Sequence, residues 1–455
     1  MERTKYTKRY IARTVIEAET PLAVGAGKNN MLTDALVATD VNGLPYIPGT
    51  SLAGALRSAC GIGKNDRSAF GYLCNENGEG SRLIFSDAVM IGREGKPLDG
   101  LRNINFEDAF YARFKLLPIR QHVRINKRGT TDRGGKFDEQ IVYKGTRFCF
   151  ETELLSDGND EDKDLFEQVL IELNSRTFRI GGGSRHGFGS IKVVSCGKSI
   201  YDLTRKEDLD KYVRRSASLE VESGNVPQTE SDPDWQYYTL RLHPVDFFLF
   251  GSGMGDSEAD ITPVKESYIT WDKGTPTFID NAVLIPAASV KGALAHRTAY
   301  YWNKIQKRYA DNTEDSQRGL TGDDNKAVTD IFGRSGTGKT EDIKRGNILL
   351  SDILIPTIQN TDKIQNTDKI FNHVSLDRFT GGSKDGALFT EKTSYLPDCL
   401  FDFQVDVRKE ALKDEEVRQA FESALEDITK GLLPLGGGVN RGNGAFIGTI
   451  IKEGE

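Results

Sequence analysis

The sequence is poor in cysteine and has no long apolar run. Its 455 residues include 5 Cys, which are widely separated and form no Cys-x-x-Cys pair. Neither a disulfide framework nor a thiolate zinc site is therefore indicated. No stretch approaches the roughly 20 apolar residues that cross a bilayer, and the first residues lack the apolar core of a secretory signal. We expect a cytoplasmic protein with no membrane partner.

Basic residues are not in excess overall, but they are concentrated in one region. The formal net charge of −7 argues against a protein that coats nucleic acid non-specifically. Between Arg113 and Arg147, however, there are ten Lys or Arg and three acidic residues. This stretch is either a solvated hairpin or an RNA-binding groove in which Phe114 and Phe137 stack on bases.

The two halves of the sequence repeat each other. Five motifs recur in the same order, and a polar, turn-rich stretch at residues 214–235 separates the two sets. We therefore predict a first domain over residues 1–213, a linker over 214–235 and a second domain over 236–455. The paired motifs are Leu22–Gly27 with Leu249–Gly253, Ile47–Leu56 with Ile285–Leu294, Phe70–Asp87 with Phe332–Asp352, His122–Asn126 with His373–Asp377, and Gly181–Gly189 with Gly436–Gly444.

Two of these motifs carry local predictions. Ser51 and Ser289 precede small and apolar residues, which predicts that each is the N-cap of a helix. The glycine-rich segments that close each half are either plain strand connections or phosphate-binding loops. Glycine amides approach a phosphate closely, and Arg185 or Arg441 beside them supplies charge, so phosphate binding is favoured.

The segment Gly333–Thr340 matches the Walker A pattern but sits in the wrong context. A P-loop follows a strand and opens a helix. Here Asn325–Phe332 is predicted to end a helix, and a strand is predicted at Asn347–Leu350. We therefore expect no ATP binding through Lys339.

The repeated motifs resemble those of the RAMP superfamily. The likeness rests on Gly43–Arg57, on the Phe-Asp-Glu sequence at Phe137–Glu139, and on the glycine-rich segment Gly181–Gly189. Within the superfamily, the chain is similar to the repeating backbone subunits of type III CRISPR effector complexes. Two such subunits in one chain resemble the type III-D variant arrangement. The resemblance implies an α+β fold, with two tandem modified ferredoxin-like (RRM-type) domains, each carrying a thumb hairpin insertion.

The resemblance also implies a function. It predicts a subunit that binds guide RNA, assembles with other CRISPR effector subunits and cleaves the paired single-stranded target RNA as a metal-dependent endoribonuclease. Asp34 occupies the position of the family's catalytic acid, as general base or as ligand of a divalent metal such as Mg²⁺. In the second half the matching segment contains three acids, Asp260, Glu266 and Asp272, and the sequence does not choose among them.

Two other functions stay open at this point, a purely structural guide-binding subunit and a guide-processing endoribonuclease with a histidine base. His122 and His373 recur in both halves, as structural residues would, which disfavours the histidine mechanism. We expect the RNA contacts to come from Lys28, Ser51, Arg57, His122, Arg124, Lys127, Arg128, Arg133, Arg179, Gly182, Gly183, Arg185, His186, Ser289, Lys291, Arg297, His373, Arg378, Gly437, Gly438 and Arg441.

Overall fold

In the described part of the chain, the first domain is built on a five-stranded antiparallel sheet with two main helices. The computed structural model describes residues 6–27, 33–74, 77–125, 130–221, 224–229, 231–309, 320–334, 343–356, 368–396 and 399–453. The elements of the first half are β1 (Lys8–Ala18), α1 (Gly49–Ala59), β2 (Tyr72–Cys74), β3 (Asn77–Glu79), β4 (Leu83–Phe85), β5 (Val89–Met90), α2 (Ala109–Lys115), β6 (Ile119–Ile125), β7 (Thr131–Gln140), β8 (Arg147–Ser156), α3 (Asp160–Leu173), β9 (Ile191–Asp202) and α4 (Lys206–Arg214).

The second domain repeats this plan. Its elements are β10 (Trp235–Pro244), β11 (Lys265–Asp272), β12 (Thr275–Ile285), α5 (Ala287–Ile305), α6 (Lys326–Phe332), β13 (Ile348–Leu350), β14 (Ile353–Ile355), β15 (Lys369–Leu376), β16 (Ser383–Thr393), β17 (Phe401–Arg408), α7 (Glu415–Thr429) and β18 (Phe446–Lys452).

Both sheets have the strand order of a ferredoxin-like fold. The first runs β4-β8-β1-β9 and the second β13-β17-β10-β18, and all pairs are antiparallel. Along β1 buried residues alternate with half-buried ones, because one face of the sheet packs on α1 and α3. The predicted α+β fold with two ferredoxin-like domains is confirmed. No helix among the described residues is both long enough and apolar enough to cross a membrane.

The starts of α1 and α5 differ from the prediction. Ser51 and Ser289 lie inside their helices, whose N-caps are Pro48 and Pro286. The first helical amide is capped instead by an aspartate distant in sequence. Gly49 N–H donates to Asp87 Oδ1 at 2.8 Å, and Ala287 N–H donates to Asp352 Oδ1 at 2.7 Å.

Each domain carries one long hairpin that corresponds to the predicted thumb. The pairs are β6 with β7 and β15 with β16. The basic stretch is divided between the first thumb and α2, which precedes it. Phe114 belongs to α2 and is 2 % exposed in the core, so it is not available to stack on RNA bases. Phe137 lies on the thumb and is 41 % exposed.

One hairpin of the second domain packs against the first domain. This hairpin consists of β11 and β12, and it takes the place of a short turn in the first domain. Its residue Ile269 packs into the core of the first domain. Ile269 N–H donates to Lys144 O at 2.8 Å, and Trp271 Nε1–H donates to Gly145 O at 2.7 Å. Backbone hydrogen bonds and apolar contacts therefore join the two domains.

A buried ion triad completes this interface. Arg120 Nε donates to Glu266 Oε1 at 2.8 Å, Arg120 Nη2 donates to Glu266 Oε2 at 2.6 Å, and Arg120 Nη1 pairs with Asp352. The side chains of Arg120, Glu266 and Asp352 are 5 %, 11 % and 1 % exposed. Although burial disfavours the charged guanidinium, Asp352 and Glu266 outweigh that effect and raise the pKa of Arg120.

The predicted linker is packed against the first domain rather than hanging free. Helix α4 ends at Arg214, and the described residues that follow run along the first sheet. Leu219 is buried beside Cys149, whose thiol donates to Leu219 O at 2.9 Å. Asn174 Nδ2–H donates to Pro227 O at 3.0 Å. The connection therefore limits how far the two domains can separate.

Candidate nucleic-acid interface

Asp34 lies on an exposed loop that is tied to the first thumb. Asp34 N–H donates to Asp138 Oδ1 at 2.9 Å, and Asp138 N–H donates to Asp34 Oδ2 at 3.0 Å. The next residue, Ala35, pairs with Glu139 of β7 as a parallel bridge. Two carboxylates from distant parts of the sequence are thus fixed side by side at the thumb base.

The same arrangement in the second domain contains Asp260. Ile261 pairs with Glu391 of β16 as a parallel bridge, as Ala35 does with Glu139. Thr390 N–H and Oγ1–H donate to Asp260 Oδ2 at 2.7 and 2.9 Å. Asp260 is therefore the structural counterpart of Asp34, and Thr390 stands where the first domain has Asp138. The Thr390 amide and hydroxyl lower the pKa of Asp260 below its ordinary value.

The other two acids predicted for the second domain lie elsewhere. Glu266 is held in the buried triad with Arg120, so its carboxylate faces the domain interface. Asp272 is exposed at the tip of the β11–β12 hairpin, where it pairs with Thr275 across the turn. Neither shares the position of Asp34 beside a thumb.

A histidine and a phenylalanine stack at the base of each thumb. The rings of His122 and Phe137 are 4.8 Å apart with an interplanar angle of 11°, and those of His373 and Phe389 are 4.9 Å apart with an angle of 25°. His122 Nε2 lies 3.0 Å from Glu139 Oε1, and the His122 side chain is 10 % exposed. Both histidines therefore pack against a phenylalanine of their own thumb, and their contact with RNA stays a prediction.

The two glycine-rich loops have the same backbone path. The angle φ is positive at four matching positions: Gly181, Gly183, Gly187 and Gly189 in the first loop and Gly436, Gly438, Gly442 and Gly444 in the second. The amides of Gly182 and Gly437 donate to Ala23 O and Leu249 O at 2.7 and 2.6 Å. These two amides are already satisfied and are not available to a phosphate, contrary to the prediction for them.

Cations gather where the first glycine-rich loop meets the second domain. Burial lowers the pKa of Arg185 to about 9, with further lowering by Arg345, Arg179 and Arg408. Burial also lowers the pKa of Lys291 on α5 to about 8, with a contribution from Arg185. Among the described residues, no carboxylate forms an ion pair with any member of the set Arg185, Lys291, Arg345 and Arg408. We call this set the junction cluster.

Several cations predicted to bind RNA are already used within the protein. Arg297 pairs with Asp427, and Arg441 pairs with Glu391. Arg57 donates to Gly63 O at 2.6 Å beside a surface groove of about 780 Å³. Arg179 donates to the carbonyls of Arg176 and Phe178 and to Ser351 Oγ. These guanidinium groups therefore already have partners within the protein.

The remaining predicted contacts lie on exposed parts of the fold or outside the described residues. Arg124 and Arg378 are exposed on the first and second thumbs, and His186 is exposed on the first glycine-rich loop. Gly183 and Gly438 shape their loops through positive φ. Lys28, Lys127 and Arg128 lie outside the described residues, as does the side chain of Arg133.

The flanks of the Walker-like segment have the predicted context. Helix α6 ends at Phe332 before the segment, and β13 begins at Ile348 after it. Arg334 and Lys344 pair in an antiparallel bridge. A P-loop has the reverse order of strand, loop and helix. The centre of the segment, including Lys339, lies outside the described residues.

These observations define a protein of two fused ferredoxin-like domains, each with a thumb, an acid at the thumb base and a closing glycine-rich loop. The sequence matches the family profile of the RAMP superfamily over residues 15–192 and 245–447. The chain therefore belongs to the RAMP superfamily, whose members bind RNA and act in multi-subunit CRISPR complexes. A search of curated proteins found no match.

Three residues of this surface, Asp138, Arg345 and Arg408, were not predicted from the sequence. Asp138 lies in the Phe-Asp-Glu motif that contributed to the family resemblance, so the motif was noticed but its aspartate was not singled out. Arg345 and Arg408 carry no motif, and only the fold brings them to Arg185.

Proposed function

We propose that the chain is a backbone subunit of a type III CRISPR effector ribonucleoprotein, which holds guide RNA along both domains and cleaves the paired target RNA at the first thumb. The observation that carries this proposal is the reciprocal hydrogen bonding between Asp34 and Asp138. It fixes an exposed carboxylate beside the hairpin that the family uses to interrupt a guide–target duplex.

The junction cluster supports RNA binding. Cations whose pKa values are lowered by burial and by one another are stabilised by a polyanion, and a phosphate backbone supplies one. The guide RNA would therefore cross the boundary between the two domains over Arg185 and Lys291. Sequence would be read by base pairing to the guide rather than by protein side chains.

The chemistry proposed for the first thumb needs few groups. RNA carries its own nucleophile in the 2′-OH, so the protein must align that hydroxyl with the scissile phosphate and accept its proton. Asp34 has one carboxylate oxygen, Oδ1, that the thumb backbone does not bind. That oxygen would accept the proton, while the contacts with Asp138 keep the loop in position.

A divalent ion fits this pair of acids only with the help of RNA. Among the described residues, no group of three or more His, Cys, Asp or Glu side chains is arranged to hold a metal. Mg²⁺ is commonly held by one or two carboxylates together with substrate phosphates and water. Asp34 and Asp138 would supply the carboxylates, and the ion would neutralise charge on the phosphate.

The second thumb is a weaker candidate for cleavage. Asp260 accepts two hydrogen bonds from Thr390 on one oxygen, which lowers its pKa and makes it a poorer base. Thr390 also replaces the second carboxylate of the first domain. We therefore propose that cleavage at the second thumb is slower or absent.

The test is cleavage of end-labelled target RNA by the assembled complex, with and without Mg²⁺. Asp34→Asn should abolish one product, and Asp260→Asn should remove a different product or none. Target binding, measured in parallel by filter retention, should survive both changes because neither removes a phosphate contact. Asp272→Asn is the matched control, since that acid lies at a distant hairpin tip.

Other outcomes identify the alternatives. If no product changes in either the Asp34→Asn or the Asp260→Asn variant, the chain is a purely structural guide-binding subunit. A histidine-based processing enzyme would instead lose cleavage of guide precursor on His122→Asn, with Asp34→Asn unaffected.

A further inference from the structure

The interface between the two domains joins unlike surfaces. The first domain contributes Arg120 at its thumb base and Gly187 of its glycine-rich loop. We call the surface formed by these two positions the front face of a domain. The second domain contributes Asp352, Glu266 and the start of α5 at Ala287. We call the surface formed by these positions the back face of a domain. A methyl group on Gly187 would lie 2.7 Å from Ala287 Cβ and would collide with Asp352. The two faces are in tight contact.

The first domain has a back face of its own, and the described part of the chain leaves it uncovered. Asp87 Oδ1 accepts the Gly49 amide at 2.8 Å, as Asp352 Oδ1 accepts the Ala287 amide at 2.7 Å. Asp352 is 4 % exposed because Arg120 and Gly187 cover it. Asp87 is exposed, and no cation among the described residues pairs with it.

The second domain also has a front face, but its chemistry differs. Arg120 lies opposite Glu139 in the first thumb, and Phe371 lies opposite Glu391 in the second. Phe371 therefore occupies the position of Arg120. It is 37 % exposed, and its ring lies 5.0 Å from that of Phe247.

This front face is open, and its loop cation, Arg441, is already paired with Glu391. A methyl group on Gly442, the counterpart of Gly187, would meet no heavy atom of the described residues within 4 Å. Tyr395, whose ring lies 5.0 Å from that of Phe247, extends the aromatic surface. An aromatic front face cannot neutralise the carboxylate of Asp87, and burying that carboxylate unpaired would be strongly unfavourable.

We propose that the back face at Asp87 binds a different protein subunit of the same domain class, one that carries an arginine or lysine at the position of Arg120. The chain's own second domain is excluded from that site by Phe371. The chain therefore has a defined place in an assembly and does not polymerise with itself. This inference rests on the domain interface and not on RNA cleavage, so either proposal can fail alone.

The test creates the missing complementarity. In Phe371→Arg the front face of one chain matches the back face of the next, and such a head-to-tail contact propagates. Sedimentation velocity over a concentration series without RNA should show that wild type and Phe371→Ala stay at the monomer mass of 50.4 kDa. Phe371→Arg should self-associate about tenfold or more tightly than Phe371→Ala, a difference of about 1.4 kcal/mol.

The second variant assigns the contact. Asp87→Asn added to Phe371→Arg should return the protein to monomer, whereas Asp66→Asn, at an exposed loop acid outside the back face, should not. Circular dichroism confirms that every variant is folded. The proposal is overturned if Phe371→Arg stays monomeric, if its association survives Asp87→Asn, or if the wild-type chain itself associates in a manner that Asp87→Asn abolishes.

Discussion

Replacing Arg120 by Ala should cost the protein a large part of its stability. The change leaves Glu266 and Asp352 buried without their cation, and removal of one partner from a buried ion pair costs about 3–5 kcal/mol. Because two acids lose the same guanidinium, we expect the upper end of that range. Arg120→Lys should recover less than half, since an ammonium is a single point charge and cannot reproduce the fork of contacts.

Urea unfolding monitored by intrinsic fluorescence measures this loss, since guanidinium salts would themselves screen the ion pairs. Arg113→Ala is the matched control. Arg113 also pairs across the interface, with Asp280, but both side chains are much more exposed, at 35 % and 46 %. Together with its contact to a phenylalanine ring, that pair should contribute about 1–2 kcal/mol. A loss for Arg120→Ala no larger than for Arg113→Ala would refute the reasoning. Recovery of stability when Glu266→Gln and Asp352→Asn are added to Arg120→Met would support it.

Three further predictions concern other parts of the molecule. Gly187→Ala and Gly442→Ala both impose about 1–3 kcal/mol of strain at positive φ, but only the first meets the opposite domain, so it should be at least about 1 kcal/mol more destabilising in urea. Lys291→Ala should lower RNA affinity and reduce the slope of log affinity against log salt by about 1, whereas Arg297→Ala on the same helix, already paired with an aspartate, should change neither in filter binding. Burial raises the pKa of the Asp406 carboxyl from 3.8 to about 6, so the folded state binds the carboxyl proton more tightly than the unfolded state does. The stability that this proton binding contributes is lost as pH rises from about 4 to 6. The stability of Asp406→Asn relative to wild type should therefore rise by about 2–3 kcal/mol between pH 4 and 7, and a pH-independent difference would contradict this.

The repeated motifs were enough to predict the fold because they mark positions with strict backbone requirements. Gly181, Gly183, Gly187 and Gly189 all have positive φ, and the second loop meets the same requirement with four more glycines. Such positions resist change when two copies of a domain diverge. The order of the motifs therefore predicted the order of the elements.

The parts that could not be predicted depend on partners far apart in the sequence. A count of basic residues includes Arg113 and Arg120, whose acidic partners are 167 and 146 residues away. Asp87 rather than Ser51 caps the start of α1, and no local pattern indicates this. Likewise, Asp260 could be chosen over Glu266 only after its neighbour Ile261 was seen paired with the second thumb.

The hairpin β11–β12 fixes the distance and the orientation between the two thumbs. Ile269 is inserted into the first domain's core, and Trp271 is hydrogen-bonded to Gly145, so the domains cannot slide or rotate past each other without breaking these contacts. The distance between Asp34 and Asp260 is consequently fixed. An RNA strand laid across both domains would meet them at a constant interval, whatever its sequence and however many subunits flank the chain.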